Sequence, residues 1–175
     1  MSDLFYEEIS DAYIAAVADV MIQAHRHTCQ VLRKRSTRMG DLLRSRLRFA
    51  AGQKHIWWGV GVENKACGIP RIDHLRAASA AVRFLFIKPL VEDLRQFNLL
   101  EIHWVIGGGE SGSGAGPMKR SWVVAIRKQC RDSSVPFFSN SGAVSGRPKR
   151  DGCSTGGRMM RRASRVQRKN HIATL

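Results

Sequence analysis

Short apolar runs recur along this chain, and a segment with helical spacing follows nearly every one. Thr28-Cys29-Gln30-Val31-Leu32, His55 to Glu63, Val82 to Ile87, Glu101 to Ile106 and Val135-Pro136-Phe137-Phe138 read as five strands. Between them, Met39, Leu42, Leu43 and Leu47 fall on one helical face before Gly52. A helix from Pro70 to about Ala81 carries Ile72 and Leu75, and another runs from near Pro117 to Asp132. A first helix spans about Glu7 to Ala24, with Ile9, Tyr13, Ala16 and Val20 at helical spacing. The stretch from Leu90 to Leu100 is irregular or briefly helical. Strands alternating with helices at this spacing require right-handed crossovers, and so a parallel sheet covered by helices.

Five strands leave two architectures open. A complete (β/α)8 barrel takes about 200 residues or more. A chain of 175 residues is therefore either an open doubly wound sheet or part of a barrel. Its length and its 43% apolar content suit one globular domain with a real core. That domain is expected over residues 1–138, with 139–175 as a basic tail. The tail holds nine basic residues against the single acid Asp151, a net +8 out of the +15 carried by the whole chain. It is rich in Gly, Ser and Arg, shows no hydrophobic period, and is expected to be disordered.

Several function classes lack their sequence signatures. No stretch approaches the roughly 18 apolar residues of a membrane span, and no basic start precedes an apolar run, so a cytoplasmic protein with no membrane partner is expected. Cys29, Cys67, Cys130 and Cys153 are scattered, without a CxxC pair. Reduced thiols and no metal site follow from that spacing. No Ser-His-Asp order stands out. His25 and His27 flank Arg26 at a helix end, where cations favour the helix dipole. The four tryptophans, Trp57, Trp58, Trp104 and Trp122, are expected to pack in the core.

In parallel βα folds, ligands gather beyond the carboxyl ends of the strands. Those ends carry Arg33 and Lys34, Glu63 and Asn64, Lys88, Gly107 to Ser111, and Ser139. Lys34, Glu63, Asn64, Gly107, Gly108, Gly109, Glu110 and Ser111 are the ligand-face candidates; no residue is assigned a catalytic role. Glycines let backbone N–H groups approach an anion or polar cofactor, and Glu110 is placed to accept from an amine. The run is neither a Walker loop nor a complete GxGxxG fingerprint, and a flexible strand-to-helix loop accounts for it equally well.

An ordered series of segments carries a family resemblance. It comprises Met1-Ser2-Asp3-Leu4-Phe5, Gln30-Val31-Leu32 with Lys34-Arg35, Trp58-Gly59-Val60 with Val62-Glu63-Asn64, and Ala81-Val82-Arg83-Phe84. It continues through Trp104-Val105-Ile106 with Gly108-Gly109-Glu110-Ser111-Gly112, Pro117-Met118, Trp122-Val123, Arg127, Gln129-Cys130 and Val135-Pro136-Phe137-Phe138. Over residues 1–138 the chain resembles the phage gp-thirty-seven/gp-sixty-eight family of three-cysteine-motif proteins, whose function is unknown. The resemblance implies an α/β, partial TIM-barrel-like parallel βα fold of about five strands. It also implies an N-terminal cysteine motif like that of radical S-adenosylmethionine enzymes, which would hold an iron–sulfur cluster in full-length relatives. Met1 of this chain corresponds to a position downstream of that motif, and its cysteines lack cluster-ligand spacing, so no cofactor is expected in this fragment.

The chain departs from the family pattern at three places. Arg33-Lys34-Arg35-Ser36 stands where the family reads Thr-Lys-Arg-Pro, Lys88-Pro89 where it has Glu-Pro, and Gly116 where an arginine precedes Pro-Met. After Phe138 the family's Lys-Gln-Trp-Gly segment and Leu-Asp-Gly-Arg ending are missing. Ser141 to Met160 can be encoded so that a frame two bases later reads Trp-Gly-Gly and then Leu-Asp-Gly-Arg-Thr-Tyr-Asp, which is family-like text. A frameshifted tail is therefore expected.

The expected function is that of a truncated member of this radical-SAM-like family, inactive alone. Its expected partner is the missing N-terminal half or another protein chain. The alternative is a basic protein that binds nucleic acid without sequence preference, through Arg33 to Arg38 and the tail.

Overall fold

The computed structural model describes residues 3–110, 116, 118–139 and 172–174. The five expected strands are present as β1 (Thr28–Arg33), β2 (Ile56–Gly61), β3 (Val82–Ile87), β4 (Trp104–Gly107) and β5 (Phe137–Ser139). They pair in parallel in their order along the chain, from β1 to β5. A sixth strand, β6 (Ile172–Thr174), pairs in parallel with the free edge of β1 and was not foreseen in the sequence. The rest of the expected disordered tail, 140–171 and Leu175, lies outside the described residues.

The helices are α1 (Asp11–Gln23), α2 (Ser36–Arg44), α3 (Arg48–Ala51), α4 (Lys65–Ala77) and α5 (Arg120–Asp132). α1 starts later than expected because the Ser10 hydroxyl accepts from the Tyr13 N–H at 3.3 Å, making Ser10 the N-cap. α4 starts earlier than expected. Asn64 caps it by accepting from the Cys67 N–H at 2.9 Å, which leaves Pro70 inside the helix. A good N-cap at Asn64 outweighs the preference of proline for the first turn, at the loss of one backbone donor at Pro70. The loop between β3 and β4 is irregular, as expected.

Alternation along each strand divides the sheet into two unlike faces. Val31, Trp58, Val60, Leu85, Ile87 and Val105 pack against Ile14, Met39, Leu43, Ile72, Leu75 and Ile126 of the helices. The opposite face carries a separate cluster of Phe84, Trp104 and Ile106, flanked by Leu32, Trp57, Phe86 and Phe138. All seven of these residues come from strands. Sequential strand order with right-handed crossovers puts the helices on one side, and among the described residues the second face carries none.

One glycine on each face makes room for an aromatic ring: Gly59 on the second face and Gly107 on the helix-covered one. A Cβ on Gly59 would lie 2.4 Å from the Phe84 ring, and one on Gly107 would lie 2.8 Å from the Phe137 ring.

Candidate functional site

The carboxyl ends of β1, β2 and β3 open onto a cavity of about 380 Å³, lined by Asp3, Leu32, Arg33, Lys34, Gly61, Glu63, Phe86 and Lys88. Leu32, Gly61 and Phe86 supply an apolar floor, and the charged residues form the rim. Glu63 is the hub. Its carboxylate accepts from Arg71 Nη1 at 2.7 Å and is paired with Lys34 Nζ. Arg71 also donates to the Gly61 carbonyl at 2.8 Å, so it braces the end of β2 from α4. Burial pushes the Glu63 pKa up, but bonds from Lys34, its own backbone N–H and Arg71 outweigh it and hold the carboxyl below its ordinary value.

Arg33 forms the opposite wall. It is buried, donates to the Leu32 carbonyl at 2.6 Å, and sits 3.4 Å from Asp3, which also faces Arg35 at 3.5 Å. Burial pulls the Arg33 guanidinium below its ordinary pKa, and Asp3 acts in the opposite sense. The N-terminal segment that brings Asp3 here is pinned by Arg38, whose guanidinium donates to the Ile9 carbonyl at 2.6 Å, to Asp11 at 2.8 Å and to the Tyr6 carbonyl.

Of the ligand-face candidates, Lys34 and Glu63 meet in this cavity. Asn64 is turned to capping, so its side-chain oxygen is engaged by α4. The glycine run lies outside the cavity and is largely tied into backbone structure. The Gly108 N–H donates to the Ile87 carbonyl and its carbonyl accepts from Leu90 N–H, both at 3.0 Å. A Cβ on Gly109 would meet Met118 Sδ at 3.1 Å. The Glu110 carboxylate accepts from the Gly116 N–H at 2.9 Å and so closes its own loop. Ser111 is outside the described residues.

Asp3, Arg71 and Phe86 were not singled out in the sequence. Arg71 lies seven residues, about two turns, beyond the Asn64 cap, so a correctly placed helix start would have turned it back toward Glu63. A second contact, Ser36 Oγ to His74 Nδ1 at 2.9 Å, ties α2 to α4 across an adjoining cavity. His25 Nδ1 lies 3.1 Å from the Gln23 carbonyl at the end of α1, consistent with a capping role.

The described cysteines sit on three different elements, and Cys153 lies outside the described residues. Cys29 is buried in the helix-side core on β1, Cys130 is buried on α5 with its thiol pushed up to about 12 by desolvation, and Cys67 is exposed on α4. Cluster ligands must be thiolates brought together. Among the described residues no group of three or more His, Cys, Asp or Glu could hold a metal ion. Nor is any described helix long and apolar enough to cross a membrane.

A family model described as "Protein of unknown function (DUF5131)" matches residues 1–167. The chain belongs to this family. The match takes in the whole sheet from β1 to β5 and runs on past residue 138, where the resemblance read from the sequence stops. No curated protein and no solved structure matches the chain.

Proposed function

We propose that this DUF5131 chain is the C-terminal portion of a phage-encoded, radical-SAM-like barrel protein, inactive alone, whose carboxyl-edge cavity forms part of a ligand site. The observation that carries the reading is the sheet face of Leu32, Trp57, Phe84, Phe86, Trp104, Ile106 and Phe138, which no helix among the described residues covers. In a barrel such a face is the packed interior, and the strand ends above it are where ligands bind. The cluster-binding cysteines and the S-adenosylmethionine site of intact relatives would belong to the missing N-terminal half. Cys29, Cys67 and Cys130 are in no position to replace them.

Anaerobic reconstitution with iron and sulfide tests this. The chain alone is expected to retain no stoichiometric iron, whereas the chain together with the cysteine-containing half of an intact relative retains it. Stoichiometric cluster formation by the chain alone would contradict the reading.

The second reading, sequence-independent nucleic-acid binding, is favoured by the net charge of +15. The described part of the expected surface is already engaged: Arg35 pairs with Glu7 at 3.1 Å, and Arg38 with Asp11 at 2.8 Å. Phosphate binding would therefore fall to the basic residues after Ser139, and deleting them should abolish any salt-dependent DNA retention.

A further inference from the structure

We infer that the carboxyl-edge cavity binds a small organic monoanion, with an apolar or aromatic body on Leu32 and Phe86 and its carboxylate on Lys88. This deepens the ligand-site reading and rests on it for the choice of cavity. The chemistry comes from the lining. The two carboxylates on the rim, Asp3 and Glu63, serve Arg33, Arg35, Lys34 and Arg71. Lys88, half-buried at the end of β3, lines the same cavity and has no acidic partner among the described residues. Among the described lining residues cations therefore outnumber anions, and Lys88, the one without a carboxylate, shares the cavity with the apolar floor.

The lining also limits the ligand. Glu63 is held ionised by two cations, so a second negative group on the ligand would meet a fixed like charge across the cavity. A bare inorganic anion would leave Leu32 and Phe86 in contact with water, while an apolar body displaces that water. A neutral isostere loses the charge-assisted bond to Lys88, and an amine is repelled by it. Gly61 sets the depth of the floor: an added Cβ would stand 3.4 Å from Glu63 Oε1 and 3.6 Å from Lys34 Cγ, so alanine fits there while narrowing the cavity.

The test is an amide-resolved NMR titration of the full chain with phenylacetate, phenylacetamide and phenethylammonium. Phenylacetate is expected to give saturable shifts at residues 32–34, 61–63 and 86–88, and the other two probes are not. Lys88→Glu and Lys88→Gln should each weaken phenylacetate by about tenfold or more. Gly61→Ala, which leaves every charge in place, should weaken it by a smaller factor and keeps the test open if both Lys88 variants fail to fold. No saturable shift with phenylacetate, equal response to all three probes, or an unchanged affinity in Lys88→Glu overturns the inference. Cluster reconstitution with the other half reports on the barrel reading separately, so the two can fail independently.

Discussion

The Phe84 ring occupies the space that a side chain on Gly59 would need: a Cβ added to Gly59 would lie 2.4 Å from two of the ring carbons. The two residues are register partners on β2 and β3. Gly59→Ala must therefore displace a ring that is almost fully buried. Overpacking of this kind costs about 1–3 kcal/mol. Urea unfolding should show that loss for Gly59→Ala, and Phe84→Leu should recover part of it in the double variant. Wild-type stability in Gly59→Ala would mean that the ring is free to move away.

Glu63 makes stability depend on pH in a defined direction. Its folded pKa is below its ordinary value of 4.5, so its contribution is full well above 4.5 and is lost as pH falls below 4.5 through the folded value. Glu63→Gln should be less stable than wild type at neutral pH, by about 1–3 kcal/mol for a hydrogen-bonded ion pair. The difference should shrink in strongly acidic buffer. A pH-independent difference would place the effect in packing rather than charge.

Arg38 holds residues 6–11 onto α2, with bonds to the Ile9 carbonyl and Asp11. Arg38→Met keeps much of the side chain's bulk but removes these donors. Residues 3–10 should then exchange amide hydrogens faster while β2 and β3 keep their protection, and Asp3 should no longer be held against Arg33. Unchanged exchange in that segment would refute the pinning role.

Thiol reactivity should separate three cysteines. Cys67 is exposed, whereas Cys29 and Cys130 are buried and the Cys130 thiol is pushed up to about 12. Iodoacetamide at neutral pH should label Cys67 first, and Cys29 and Cys130 only with denaturant. Rapid native labelling of Cys130 would contradict its placement on the buried face of α5.

The out-of-frame reading of the tail is checked in the coding DNA. It predicts codons giving Trp-Gly-Gly and Leu-Asp-Gly-Arg-Thr-Tyr-Asp two bases out of register with Ser141 to Met160. Their absence removes the frameshift, and the basic residues up to 167 then stand as ordinary sequence within the family match.

The parallel sheet was legible because the strands β1 to β4 are compact apolar runs closed by charge or glycine; β3 was located to the residue, at Val82–Ile87. Helix starts were less legible, since α4 obeys its Asn64 cap and carries Pro70 inside. Three hydrogen-bonding residues in β6 have too little pattern to read as a strand, and a pairing with β1 is remote in sequence. Lys34 and Glu63 were found because strand ends can be located from sequence. Arg71, the partner of Glu63, was not, because its direction depends on where α4 starts. The glycine run drew attention for its backbone freedom, yet Gly107 and Gly109 are explained by the close approach of Phe137 and Met118.

The indoles of Trp57 and Trp104 approach to 5.3 Å on the sheet face that no described helix covers, the surface that the other half of a barrel would cover. Sedimentation velocity of this chain, mixed in equal amounts with the cysteine-containing half of an intact family member, tests the central claim most directly. The barrel account predicts a one-to-one complex that Trp104→Asp abolishes. A chain that sediments as a concentration-independent monomer, unchanged by the other half, would contradict it.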